Sequence, residues 1–125
     1  MTMPTPIHVT VGDVVLTATL GDGPAARAFA VLLPLELTLS DYHATEKVSP
    51  LPKKLPTQGE PPGHAAVVGD ITYYAPWGNL AIFYRPFGYA EGLIHLGRFD
   101  GGLAPLLQDA GPRIRIARGR STTPR

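Results

Sequence analysis

Cysteine is absent from the 125 residues, which excludes a disulfide scaffold and any thiolate metal site. Charge is sparse as well. Only 17% of residues are charged, and 11 basic side chains against 10 acidic ones leave a formal charge of +1. That balance argues against a nucleic-acid partner, which calls for a strongly basic face. Long apolar runs are also lacking: no segment approaches the roughly 18 residues needed to cross a bilayer. The opening MTMPTPIHVTVGDVV has neither the basic region nor the apolar stretch of a signal peptide. A cytoplasmic protein without a membrane partner is the default expectation, and nothing in the sequence sets an oligomeric state.

What the chain does have is 14 glycines, 14 prolines and 44% hydrophobic residues. The first two favour many turns over long helices. The third is enough for one buried core, so a single domain is expected over residues 7–118, with flexible ends at 1–6 and at the basic stretch 119–125.

Period-two alternation marks the strands. Ile7, Val9 and Val11 face one way and His8 and Thr10 the other; Gly12-Asp13 then turns the chain into VVLTATL, residues 14–20. Pro24 opens a helical segment through residue 33, with Asp22 or Gly23 as its cap and Ala25, Ala28, Phe29, Leu32 and Leu33 as an apolar stripe. Pro34 ends it. Residues 35–40 alternate again, and residues 41–69 carry so many prolines that only short strand pieces fit, such as 43–48. A loop this long is either functional or partly paired. Segments 71–75 and 80–85 form a second hairpin around Pro76-Trp77-Gly78-Asn79, PFGYAEG reads as a loop, and 93–99 is another strand. Asp100 is placed to cap a brief helix ending at Leu107. RIRIAR, residues 113–118, is a last strand with Ile114 and Ile116 inward and an arginine face outward. These elements predict a mainly β fold: a closed antiparallel barrel, which removes the exposed edges of so many short strands, with one N-terminal helix and one short C-terminal helix.

Several of these segments resemble a known family. GDITYYAPWGNLAIFYR (69–85) and GLIHLGRFDGGLAPLL (92–107), together with PAARAFAVLLPLELTL and DYHATEKVSPLPKKL, are similar to the small bacterial and archaeal cyclophilin-like domains. The resemblance runs from about Ile7 to about Ala117. It implies an eight-stranded barrel capped by two helices. True cyclophilins are peptidyl-prolyl isomerases that use an arginine to weaken prolyl amide resonance beside an aromatic pocket. The segment where that arginine belongs, DYHATEK, has none; Lys47 is its only cation and lacks the planar guanidinium fork. Phe83 matches the pocket phenylalanine. The family's pocket tryptophan and histidine would fall near Gly88 and Leu93, while Trp77 and His95 stand at other offsets.

The resemblance and the aromatic hairpin together point to a module that binds a proline-containing peptide or a small molecule. The groove candidates are Tyr42, His43, Lys47, Tyr74, Trp77, Phe83 and Tyr84, and no cofactor is implied. One alternative is a weak isomerase with Lys47 or Arg85 as its cation. Another is a metal-dependent enzyme using His43 in the pattern Asp41-x-His43-x-x-Glu46, with His64 or Asp70 added. Mid-strand His95 is expected to be a hydrogen-bonded structural residue. Nucleophilic catalysis has no support, since there is no cysteine and no serine in an elbow-like setting. Five of the eleven cations lie in the last 13 residues, a pattern expected of a solvated strand face and tail.

Overall fold

The turn at Gly12-Asp13 folds the first alternating segment back on its neighbour. β1 (Thr5–Val11) and β2 (Val14–Leu20) pair from Thr5↔Leu20 to Val11↔Val14. Gly12 has φ +60°, a conformation that a residue without Cβ adopts freely. The structure, a computed structural model, describes residues 4–119. The sequence expectations for residues 1–3 and 120–125 lie outside this range, and β1 starts two residues before the visible alternation.

α1 (Pro24–Leu32) begins as expected, with Gly23 at the cap and Pro24 in the first turn. Gly23 has no side chain to offer. Glu60 fills that role from a distant loop, accepting the Ala25 N–H on Oε2 at 2.9 Å. The helix buries Ala25, Ala26, Phe29 and Ala30, so its inward stripe is rotated slightly from the expected one, with Ala28 and Leu32 at its margin.

After α1 the chain forms β3 (Leu35–Thr38) and β4 (Ser40–Tyr42), which are two halves of one strand bent at the fully buried Leu39. β3 pairs with β11 (Arg113–Arg118), and β4 pairs with β5 (Glu46–Pro50). β6 (Gly63–Ala65), β7 (Asp70–Tyr74), β8 (Asn79–Phe83), β9 (Tyr89–Glu91), β10 (Leu93–Phe99) and α2 (Ala104–Leu107) lie between them in the chain. The nine-stranded sheet has the order β3-β11-β1-β2-β10-β7-β8-β5-β4. Its two edge strands adjoin in sequence, so the sheet nearly closes into an antiparallel barrel. Counting β3 and β4 as one strand recovers the expected eight.

One of the two readings of the long segment is met, and two local expectations are corrected. The long 41–69 segment is partly paired: β4 and β5 form a hairpin, and β6 pairs with β9 in a separate two-stranded ribbon. That ribbon includes Tyr89–Glu91, where only a loop was expected. Asp100 does not cap α2. Leu103 holds that position, and Asp100 instead accepts the Thr19 hydroxyl at 2.9 Å.

Alternation sorts side chains to two sides of the sheet. Inside the barrel lie Ile7, Val9, Leu20, Ile71, Tyr73, Leu80, Ile82, Ile94, Leu96, Ile114 and Ile116, with Phe29 of α1 and Leu106 of α2. Outside it, Ala81, Phe83 and Leu93 form a smaller buried cluster with Ala66, edged by Val48, Tyr74 and Ala90. That outer cluster is the floor of the candidate site.

Candidate functional site

Strands β5, β7, β8 and β10 turn one face outward, and the segments around Ala66 and Phe87 cover part of it. Between them is a hollow of about 210 Å³ lined by Tyr42, Glu46, Val48, Tyr74, Trp77, Asn79, Ala81, Phe83, Phe87, Ala90 and Leu93. Trp77 sits in the tight β7–β8 turn, where its N–H and that of Gly78 both donate to the Tyr74 carbonyl. Although 57% exposed, its ring is held edge-on between Tyr42 and Tyr74, with centroids at 5.5 and 5.3 Å. These are favourable spacings for aromatic pairs. Across the hollow, Phe83 and Phe87 lie 6.1 Å apart.

The acidic group of this hollow is Glu46. It is half-buried against the aromatic wall, and loss of hydration pushes its carboxyl up to about 7. A carboxyl group poised near neutrality in an apolar recess has the character of a binding or proton-handling group.

Four of the seven groove candidates meet here: Tyr42, Tyr74, Trp77 and Phe83. The other three do not. His43 stands at the tip of the β4–β5 turn, where it and Ala44 have φ of +53° and +52°. Its ring touches Tyr42 at 4.2 Å but does not line the hollow. Lys47, next to Glu46 on β5, points to the opposite side of the sheet because successive residues alternate. It is 5% exposed, with Nζ donating to the carbonyls of Asp109 at 3.2 Å and Ala110 at 3.4 Å and pairing with Asp41 at 3.5 Å. Tyr84 packs on the main core, its ring 5.7 Å from the Lys47 ammonium. Its hydroxyl donates to Asp41, which raises the Tyr84 pKa and lowers that of Asp41. Lys47 is thus committed to structure.

Sequence reasoning used Glu46 only as a metal ligand and missed Phe87, Val48 and Asn79. The signal for Glu46 was the alternation Glu46, Val48 against Lys47, Ser49, legible once β5 is started at residue 46. The Asp41, His43 and Glu46 set disperses: Asp41 bonds Tyr84 and the Ala44 N–H, His43 sits at the turn tip, and Glu46 faces the hollow. Among the described residues, the His/carboxylate grouping lies elsewhere and comprises His64, Asp70 and His95.

Asp70, the first residue of β7, has no exposed surface. It accepts from the Val67 N–H at 2.9 Å, His64 Nε2 at 2.8 Å, His95 Nε2 at 3.3 Å and Arg98 Nε at 3.0 Å. Burial alone would raise its pKa, but the bonds from His64, Val67 and Arg98 outweigh burial and hold the carboxyl below its usual value. His95 is pushed down, chiefly by desolvation, against the opposing pull of Asp70. A bulge in β10 makes this convergence. His95 pairs with Thr72 and Gly97 with Ile71, leaving Leu96 unpaired against β7. The extra residue lets His95 and Arg98 share the outer side while Leu96 stays buried.

A nearly closed antiparallel barrel, two short helices and an aromatic hollow on its outer face define a cyclophilin-like protein. A protein-family model described as the Cyclophilin-like family matches residues 9–116, and the chain belongs to that family. Among solved structures, it is similar to a hypothetical protein from Archaeoglobus fulgidus determined in solution. The two share 14% sequence identity and a TM-score of 0.66 over 95% of this chain and 98% of the other. At that identity the likeness is one of fold. A search of curated protein sequences found no match. Among the described residues no helix is long and apolar enough to cross a membrane.

Proposed function

We propose that the protein is a binding module that takes one apolar group of a peptide, such as a prolyl side chain, or a small molecule into the Trp77–Phe83 hollow. The observation that carries this reading is the acid at the hollow's wall. The segment in which true cyclophilins place their isomerase guanidinium turns Glu46 toward the hollow, and no arginine lines it among the described residues. Once ionised, the carboxylate is an acceptor and the wrong group for weakening a prolyl amide, which needs a donor at the amide nitrogen. It is well suited to a ligand that carries an N–H or a cation beside its apolar part. The size agrees. About 210 Å³ is smaller than the roughly 300 Å³ at which drug-sized pockets begin, so the hollow suits one side chain or a single ring.

Trp77 is the chain's one tryptophan and sits at the rim, so its fluorescence reports occupancy directly. Titration with proline-containing peptides and with small aliphatic and aromatic amines is expected to give a saturable change that Phe83→Ala weakens about tenfold or more. Amines bind more tightly at pH 8 than at pH 6, because Glu46 ionises near 7. Silence across both ligand sets defeats the reading. In a proline-peptide isomerisation assay the same protein is expected to give little acceleration; clear acceleration lost in Phe83→Ala would favour the weak-isomerase alternative.

A further inference from the structure

We propose that His64, Asp70 and His95 form a site for one first-row divalent cation, with zinc the best fit. The site is separate from the aromatic hollow and does not depend on how that hollow is used. Three strands deliver its groups: His64 from β6, Asp70 from the start of β7 and His95 from the β10 bulge. One ligand atom from each can be chosen so that all lie within 4.8 Å of one another.

The three donors stand close enough for modest side-chain movement to bring them around one ion. Donors bound to a common zinc ion at about 2.0–2.1 Å stand about 3.3 Å apart in a tetrahedron. The Asp70 carboxylate is 2.8 Å from His64 Nε2 and 3.3 Å from His95 Nε2. These contacts are to different oxygens, Oδ2 and Oδ1, and with donors up to 4.8 Å apart the rings must close by as much as about 1.5 Å around an ion. Two imidazoles and one carboxylate are also the donor types that zinc accepts, and three protein ligands leave a position open.

The Val67 N–H and Arg98 Nε already donate to Asp70. Two further imidazoles then converge on the same carboxylate with ring centroids 4.8 Å apart. A cation there would displace the hydrogens that Nε2 of each ring now offers Asp70, the protons moving to Nδ1 or to solvent, so that both Nε2 lone pairs face the ion. The Val67 N–H would then keep the carboxylate oriented, as outer partners of metal ligands commonly do. Arg98 opposes a cation by charge, and its bond to Asp70 Oδ1 would have to lengthen or break; with 57% of the side chain exposed, solvent is there to receive it.

The fourth position has room. A second hollow, of about 230 Å³, is bordered by His64, His95, Gly63, Glu60 and Pro61. Glu60 is the one carboxylate there, and it is engaged at the start of α1. Water or an outside ligand is therefore the group that would complete the sphere.

The test is calorimetric titration of the full chain, without an affinity tag and stripped with chelator, using zinc chloride alone. One saturable site is expected. His64→Gln and His95→Gln should each weaken it by more than about tenfold, since loss of an outer partner already costs about 10- to 100-fold. His43→Gln should leave it unchanged. Imidazole nitrogen NMR of the unmodified protein supplies a readout independent of variants: the His64 and His95 Nε2 resonances should move on zinc addition while those of His8 and His43 stay. Absence of saturable binding overturns the proposal, and so does binding that survives both variants or shifts only His8 or His43.

Discussion

Glu46 sets an acid against aromatic rings, and this has a consequence for stability that is separate from any ligand. In the unfolded chain the group titrates near 4.5, and in the fold near 7. Below pH 4.5 both states hold the proton and the fold suffers no penalty. As pH rises to about 7 the unfolded chain releases its proton first, so stability contributed by the protonated group is progressively lost, and above that the loss is complete. Asp41 and Asp70 act oppositely: their folded pKa values are depressed, and their contribution disappears as pH falls through those values. Comparing Glu46→Gln with the native chain isolates the first effect. In urea unfolding the variant should gain relative to the native protein between pH 4.5 and 7, with a constant advantage at higher pH. A difference independent of pH would show that the carboxyl is fully hydrated.

At the scale of elements, α1 shows how a short helix is completed from outside itself. Nine residues are marginal alone, and Gly23 contributes no capping side chain. Glu60, 35 residues beyond the Ala25 N–H it accepts, satisfies that donor and places negative charge at the positive end of the helix. Glu60→Ala should lower unfolding stability by about 1 kcal/mol, and Glu60→Gln by less, since the amide oxygen can still accept. Equal stability of all three proteins in urea would mean that water replaces the carboxylate at no cost.

The same elements show what a sequence can disclose. Alternation in residues 7–11 and 113–118 and the Gly-Asp and Pro-Trp-Gly turns are local signals, and the corresponding strands lie where those signals put them. Glu60 on α1 is a long-range contact with no local signature. The β6–β9 ribbon has only three residues per strand, and the two strands press so close that a Cβ on Gly63 would collide with the Ala90 carbonyl and the Tyr89 ring. The β10 bulge hides most. A strict period of two puts His95 and Arg98 on opposite faces, and only the extra residue at Leu96 brings both to Asp70. At the hollow, Tyr42, Tyr74, Trp77 and Phe83 announced themselves by type, whereas Phe87 lies outside any alternating strand and Glu46 required knowing the register of β5.

For the molecule as a whole, near-closure of the sheet leaves the barrel's contents to be sealed by loops as well as strands. The proline-rich stretch 51–62 performs part of that sealing, and it is tied down at Leu55. Leu55 is 5% exposed, and its N–H donates to the hydroxyl of the fully buried Tyr73 at 3.1 Å. Tyr73 is therefore both a core ring on β7 and the anchor of a loop that begins at the end of β5. The phenol explains why a tyrosine stands where alternation alone asks only for something large and apolar. Tyr73→Phe keeps the ring and removes the acceptor, leaving a buried N–H without a partner. The expected loss is about 1–3 kcal/mol in urea unfolding. Hydrogen exchange should localise it: the Leu55 amide becomes fast while amides in the β7–β8 ladder slow or quicken only with global stability. If Leu55 exchanges no faster in the variant, the loop is held by its apolar contacts and the phenol is incidental.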